Sequence, residues 1–306
     1  MLPRNRTTRI LLDSGNPEET RKIKSLLGFV DGQTTNPSLI ARSTRIQKRI
    51  ASGGKFTLKE YEEEYQAIVR EISPLVGDAG VSIEVFADLR TTSAEMLAQG
   101  REMFSWIPNA YIKYPCTYEG LRAAQNSVEQ GIRVNITLCF SQEQAAGVYA
   151  ATQTSEAPAY VSPFIGRLDD NGVNGMDLIK NIQRMYTEGD GHVSVLASSI
   201  RTVDQLLACL ALKVDLVTVP AKVLEAWSLM GLPMPGPDYV YKGATGGRVL
   251  KTLPCKNLNL HKPWNAFNLR HELTRKGIEK FNTDFQNTLR RLDDAAEFTE
   301  PELLHR

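Results

Sequence analysis

The sequence predicts an α/β protein folded as one (β/α)₈ TIM-type barrel domain. Two observations lead there. Short β-rich runs alternate with amphipathic helical stretches, eight strands in all, the pattern of parallel strands joined by helical crossovers. The runs also carry polar residues near their C-terminal ends, where a buried parallel strand normally stays apolar. A chain of 306 residues accommodates one such domain. The barrel is expected over about residues 9–230, with a loop and a helical extension over about 231–306.

The first run is Arg9–Asp13. The helix after it opens at Asn16-Pro17-Glu18-Glu19, where Asn suits the N-cap, Pro the first helical position and the acidic pair the helix dipole. Phe29–Asp31 begins a second run that ends in Thr34-Thr35-Asn36-Pro37. Tyr61, Tyr65, Ile68 and Ile72 then mark one apolar face of a helix over Leu58–Ile72. Further strands are expected at Val81–Phe86, Ala110–Pro115, Arg133–Cys139, Ala159–Phe164, His192–Ser198 and Asp215–Val219, with helices such as Glu119–Gln130 and Gln142–Thr152 between them. Residues 231–263 are rich in Gly, Pro and Lys and lack periodicity, so they read as a long functional loop or an extended surface segment. Within them, Gly243–Gly247 reads as a flexible turn rather than a phosphate cradle, because no Lys-Ser/Thr follows. A last helix is expected over Leu269–Leu292. An open, doubly wound sheet is the structural alternative, weakened by the lack of Gly-x-Gly-x-x-Gly after the first strand.

Composition narrows the function classes. Lys and Arg total 36 and Asp and Glu 35, so no charge excess points to nucleic acid or an anionic membrane, and any anion site must be local. Cys116, Cys139, Cys209 and Cys255 form no Cys-x-x-Cys pair and lie apart from His, which favours reduced thiols over disulfides or zinc. The four histidines are scattered, so no metal site is expected. The N-terminal apolar run is too short for a signal peptide and no stretch reaches membrane-span length, so the chain reads as cytoplasmic.

The polar strand ends are the chemical signal. Asp13 ends the first run and Asn36 the second. Glu84 sits in the third, Lys113 in the fourth, Asn135 and Thr137 in the fifth, Ser162 in the sixth, and Ser198-Ser199 close the seventh. Any one could be a satisfied core polar group, but so many together are hard to explain by packing, since each costs free energy unless paired. In a barrel these ends converge on one face, where active sites are built. Lys113 is flanked by Ile112 and Tyr114, with Asp13 and Glu84 expected on the same face. At an ordinary pKa near ~10.4, roughly one lysine in 2,500 is neutral at pH 7. Desolvation can raise that fraction by orders of magnitude, which an amine needs to attack a carbonyl. The residues alone thus suggest an imine-forming enzyme with carboxylate acid/base groups.

Several longer stretches carry a resemblance. Asp31-Gly32-Gln33-Thr34-Thr35-Asn36-Pro37-Ser38-Leu39-Ile40, Asn135-Ile136-Thr137-Leu138-Cys139-Phe140-Ser141 and Ser162-Pro163-Phe164-Ile165-Gly166-Arg167 resemble transaldolase motifs, in order and with fitting spacing. The match runs from about Arg9 to Trp227, and Gly277-Ile278-Glu279-Lys280-Phe281 is similar to the family's C-terminal helix. The resemblance implies that Lys113 forms a Schiff base with a ketose phosphate and passes a dihydroxyacetone unit to an aldose phosphate, as in the pentose phosphate pathway, with no cofactor. By the same resemblance, Asp13 is the general base, and Glu84 and Thr137 hold a proton-shuttling water. Asn36, Asn135 and Ser162 would bind donor hydroxyls, while Arg167, Arg201 and Ser199 would grip phosphate.

The chain departs from the family pattern at Phe86-Ala87-Asp88 and at Tyr114-Pro115-Cys116, which bears on acceptor preference. The nearest rival is a fructose-6-phosphate aldolase, which releases free dihydroxyacetone. That lyase group resembles a pattern with Gln where Glu84 stands and Tyr where Phe164 stands. A phenylalanine cannot assist hydrolytic release through a hydroxyl, so both positions favour transfer. A sugar-phosphate-binding barrel without catalysis would need none of Lys113, Asp13 and Glu84. An enzyme of specialised metabolism with an unusual acceptor stays open, as does a homo-oligomeric state.

Overall fold

The computed structural model describes residues 7–236, 238–241, 243 and 249–290. Its parallel strands close into a barrel in chain order: β1 (Arg9–Asp13), β2 (Gly32–Thr34), β3 (Gly80–Glu84), β4 (Ala110–Pro115), β5 (Val134–Cys139), β6 (Ala159–Pro163), β7 (Val193–Ala197) and β8 (Leu216–Val219). β1 pairs with both β2 and β8, so the sheet has no open edge and the doubly wound alternative is excluded. Strands β2 and β3 depart most from the expected boundaries, the others by a residue at most at either end. β2 starts only at Gly32, because Asp31 turns its carboxylate back to accept the Ile10 N–H at 2.6 Å. It also stops at Thr34, which leaves Asn36 as a helix cap rather than a strand end. β3 ends at Glu84, two residues before Phe86, whose N–H turns to Gln99 Oε1 at 2.8 Å.

Helices follow the strands. They are α1 (Pro17–Leu27), α2 (Pro37–Ala41), α3 (Thr44–Ala51), α4 (Leu58–Ile72), α5 (Ser93–Phe104), α6 (Tyr118–Val128), α7 (Gln142–Ala151), α8 (Ile165–Asp170), α9 (Gly175–Tyr186), α10 (Val203–Ala211) and α11 (Ala221–Leu229). The expected Asn16 cap forms, accepting from Glu18 N–H ahead of Pro17, and Thr57 with Glu60 adds a capping box on α4 that was not foreseen. The α4 face of Tyr61, Tyr65, Ile68 and Ile72 is fully buried. Apolar strand and helix residues form the main core between sheet and helices. A second cluster, including Leu11, Leu196, Leu216 and the stacked pair Tyr111–Tyr160 at 4.2 Å, plugs the barrel interior. With that floor closed, a ligand enters from the C-terminal strand ends.

The C-terminal helix α12 (Glu272–Gln286) is shorter than the expected 269–292. His271 caps its start, and after Gln286 the chain turns so that Leu289 bridges to Phe56; residue 292 lies outside the described residues. Gln144 fastens the helix to the barrel by bonding Thr274 Oγ1 and the Cys116 carbonyl. The long 231–263 segment is strapped to the barrel's flank where it is described. Trp227 donates to the Pro233 carbonyl, Asn174 N–H to that of Lys251, and Asn181 to that of Leu253. The Gly243–Gly247 turn falls largely outside the described residues.

Phe285 of α12 stacks on Phe86 at 4.3 Å and meets Tyr61 edge-on at 5.0 Å. Phe285→Ala is therefore expected to destabilise the fold by about 3 kcal/mol, the usual cost of emptying a buried aromatic site. Denaturant unfolding monitored by tryptophan fluorescence checks this; a change below about 1 kcal/mol contradicts the packing role.

Candidate active site

Register alone brings the central residues together. On β3, β4 and β5, Glu84 stands beside Lys113 and Lys113 beside Asn135. Lys113 is 4% exposed and Glu84 3%. The ammonium lies 2.9 Å from Glu84 Oε2 and donates to the Thr35 carbonyl, also at 2.9 Å. Burial raises the Glu84 carboxyl above the usual carboxylate range, with Lys113 pulling the other way. A carboxylate with raised proton affinity in direct contact with the amine is a natural acceptor for the amine's proton.

Asp13 sits across the barrel mouth. Its Oδ1 accepts from Thr34 Oγ1 at 2.7 Å, and that hydroxyl in turn contacts Thr218 Oγ1 at 2.6 Å. Burial again raises the carboxyl, against Lys113, Thr34, Arg201 and Arg42 in that order. Asn135 and Ser162 are fully buried and bonded to one another: Ser162 Oγ donates to Asn135 Oδ1 at 2.7 Å, and Asn135 Nδ2 to Ser82 Oγ at 3.0 Å. Thr137 is also buried, one strand from Lys113, and its hydroxyl lacks a hydrogen-bond partner among the described residues. Asn36 caps α2 through Oδ1 while facing the cavity.

A cavity of about 360 Å³ opens above these groups, within the ~300–1,000 Å³ range of small-molecule sites. Asp13, Asn36, Lys113, Phe164, Arg167, Ser199 and Arg201 line it. Ser199 follows β7 with φ of 62°, a left-handed backbone unusual for serine, and its Oγ is buried without a partner among the described residues. Gly166 explains how α8 reaches this corner: a Cβ there would come within 2.0 Å of the Ser199 carbonyl. Arg167 lies over the Phe164 ring at 5.3 Å and makes no ion pair or guanidinium hydrogen bond among the described residues. Burial and then the like charge of Arg201 lower its pKa. Among the described residues, the Arg201 guanidinium pairs with the exposed Asp170, at 3.6 Å. Two arginines repelling one another beside an unsatisfied hydroxyl form a corner suited to an anion.

Known proteins share the sequence over most of its length. Residues 10–292 match the model of the family described as Transaldolase/Fructose-6-phosphate aldolase. The chain belongs to the transaldolase/fructose-6-phosphate aldolase family. It is 39% identical to a probable transaldolase of Dehalococcoides mccartyi over 71% of this chain and 88% of that protein. A probable transaldolase of Maricaulis maris is 35% identical over 85% of this chain and 89% of that one. One from Paracoccus denitrificans is 30% identical over 92% and 97%.

In this family member the cavity also holds residues that motif reading passed over. Arg42, Lys222 and Lys280 add cations to its wall, and Phe281 adds a ring. Asp284 of α12 gathers Lys280, Ser38 and, at 3.9 Å, Arg42. Arg42 stands two residues beyond the Asp31–Ile40 motif, and Lys280 lies inside the C-terminal motif, so both were in view without a reason to point inward. The reason is α12 itself, which crosses so near that a Cβ on Gly277 would sit 2.8 Å from Arg167 Nη1.

The raised Asp13 carboxyl has a stability consequence. A group whose pKa is higher folded than unfolded favours the fold most below its unfolded pKa, near ~4, and loses that contribution as pH rises through its folded pKa. Asp13→Asn should therefore melt above the parent at pH 7.5, with the difference shrinking as pH falls toward 4.5. Calorimetry at both pH values checks this; an Asn variant that melts lower at pH 7.5 contradicts it.

Proposed function

We propose that this protein is a transaldolase that transfers a dihydroxyacetone unit between sugar phosphates through a Schiff base on Lys113. The observation that carries the reading is Lys113, buried against Glu84 and lining a cavity whose wall also holds Arg167, Ser199 and Arg201. An amine at one end and an anion corner at the other suit a phosphorylated ketose.

The steps follow from the placement. Glu84 takes a proton from Lys113, and the free amine attacks the ketose carbonyl carbon, forming a carbinolamine. The carbinolamine loses water to give the iminium. Asp13 removes the proton of the hydroxyl borne by the carbon at the far end of the bond to be broken, counted from the iminium. That carbon–carbon bond then breaks; its electrons flow into the iminium to form an enamine on Lys113, and an aldose phosphate leaves. The enamine adds to the carbonyl of an acceptor aldose phosphate, whose oxygen takes the proton from Asp13. Water then hydrolyses the new iminium. Thr137 Oγ1 and Glu84 Oε2 are buried oxygens unsatisfied apart from the lysine contact, which suits a shuttling water. Asn36, with the Asn135–Ser162 pair, suits the hydroxyls of the three-carbon unit. Glu84 and Phe164 together favour transfer over release of free dihydroxyacetone.

Treatment with fructose 6-phosphate and borohydride should fix a reduced three-carbon unit to Lys113, seen by peptide mass spectrometry. An adduct on another lysine, or none, rejects the mechanism. Fructose 6-phosphate with erythrose 4-phosphate should give sedoheptulose 7-phosphate; free dihydroxyacetone produced as fast without acceptor would make the enzyme a lyase. Arg167→Ala should raise KM for the phosphorylated donor roughly ten- to hundredfold, the worth of a charge-assisted contact. An unchanged KM would move the phosphate elsewhere.

A further inference from the structure

One buried polar group beside the lysine is left unused by the steps above. Tyr65 belongs to α4, outside the barrel, and is fully buried. Its hydroxyl passes between the ends of β2 and β3. It accepts the Glu84 backbone N–H at 3.1 Å and lies 2.6 Å from Thr35 Oγ1. Thr35 Oγ1 donates its own proton to the Ser82 carbonyl at 2.8 Å, so the proton between the two hydroxyls belongs to Tyr65. Burial raises the phenol's pKa, which keeps it a donor. A closed ring of four contacts results: Tyr65 to Thr35, the Thr35 carbonyl to Lys113, Lys113 to Glu84, and Glu84 back to Tyr65.

We propose that Tyr65 is a positioning residue of the imine-forming site, whose hydroxyl fixes the spacing between the two groups that hold the Lys113 amine, the Thr35 carbonyl and the Glu84 carboxylate. The proposal rests on the Schiff-base reading. An ammonium has three protons to donate and an iminium one, so Nζ must let go of at least one holder as the imine forms. Glu84 is the one that changes charge. The Thr35 carbonyl stays, because Thr35 is tied to Ser82 through both its N–H (2.9 Å) and its hydroxyl. Tyr65 is the member that ties this fixed side to the proton-accepting side. Without its hydroxyl, the Glu84 backbone N–H loses that bond and the carboxylate can drift from the amine. Drift of the order of 1 Å costs up to about a hundredfold in rate.

Tyr61 supplies a control. It lies one turn earlier on the same face, is equally buried, and its hydroxyl has no hydrogen-bond partner among the described residues. The test compares Tyr65→Phe, Thr35→Val, their double variant and Tyr61→Phe. Readouts are steady-state transfer and single-turnover formation of the borohydride-trapped Lys113 adduct, both normalised to the trappable fraction of sites. Tyr65→Phe should lower kcat and the adduct-forming rate per site alike, by about tenfold or more, with KM for fructose 6-phosphate within about twofold of the parent. The double variant should be no slower than the slower single variant, as for two members of one ring. Tyr61→Phe should match the parent. The proposal is overturned if Tyr65→Phe keeps the parent rate, if the double variant is additive, or if activity falls only with the trappable fraction, the result of a purely structural role. A parent protein that forms no Lys113 adduct removes the Schiff-base reading and this proposal together. A normal parent with an unaffected Tyr65→Phe removes this proposal alone.

Discussion

Lys113 and Glu84 are opposite charges held 2.9 Å apart inside a barrel of apolar strands. Taking two ions out of water costs several kcal/mol each, and their attraction offsets this only where the geometry is good and the remaining polar positions are bonded. That requirement accounts for much of the local architecture. Register between β3 and β4 sets the pair side by side, the Thr35 carbonyl takes a second lysine proton, and Thr35 is itself fixed to Ser82 and Tyr65. The plugged floor of Tyr111 and Tyr160 closes the barrel beneath, and Lys113 lines the cavity above it.

The site is not satisfied in all its parts, and the exceptions fall in two places. Thr137 Oγ1 and Glu84 Oε2 lie near the amine, Ser199 Oγ near the arginines. Unsatisfied buried polar atoms are costly in a fold that has no use for them. The raised carboxyls of Asp13 and Glu84 and the lowered guanidinium of Arg167 belong to the same pattern, in which burial opposes charge. Stability given up at strand ends is recovered around them, in the α12 aromatic contacts and the buried α4 face.

Much of this was legible in the sequence, because the barrel writes itself as a period. The Tyr61–Tyr65–Ile68–Ile72 spacing placed α4 to the residue, and polar residues at successive strand ends placed the chemical face. What escaped depends on contacts between segments far apart in the chain. The Phe29–Asp31 run looks like a strand, but Asp31 bonds back to Ile10 and shortens β2. Arg42 and Lys280 look like surface cations until Asp284 of α12 is brought beside Ser38, 246 residues away in the chain. Tyr65 reads as one more core aromatic; only the fold shows its hydroxyl ending between Thr35 and Glu84. The departure at Phe86 likewise finds its reason in a distant partner, Phe285.

Transfer, as opposed to release, poses a specific physical demand. The enamine on Lys113 must outlast the exchange of one aldose for another, so water must be kept from hydrolysing the intermediate while the site stays open to sugars. The cavity wall is divided accordingly. Its cations and hydroxyls offer charge and hydrogen bonds, whereas Phe164 and Phe281 present rings that cannot orient a water. Phe281 is delivered by α12, the helix whose Gly277 allows it to press against Arg167 and whose Phe285 is stacked on Phe86. The C-terminal helix thus adds the Phe281 ring to the cavity wall that also holds Arg167 and Arg201. On the proposed mechanism, the choice between passing on the three-carbon unit and losing it to water depends on that helix as well as on Glu84 and Phe164.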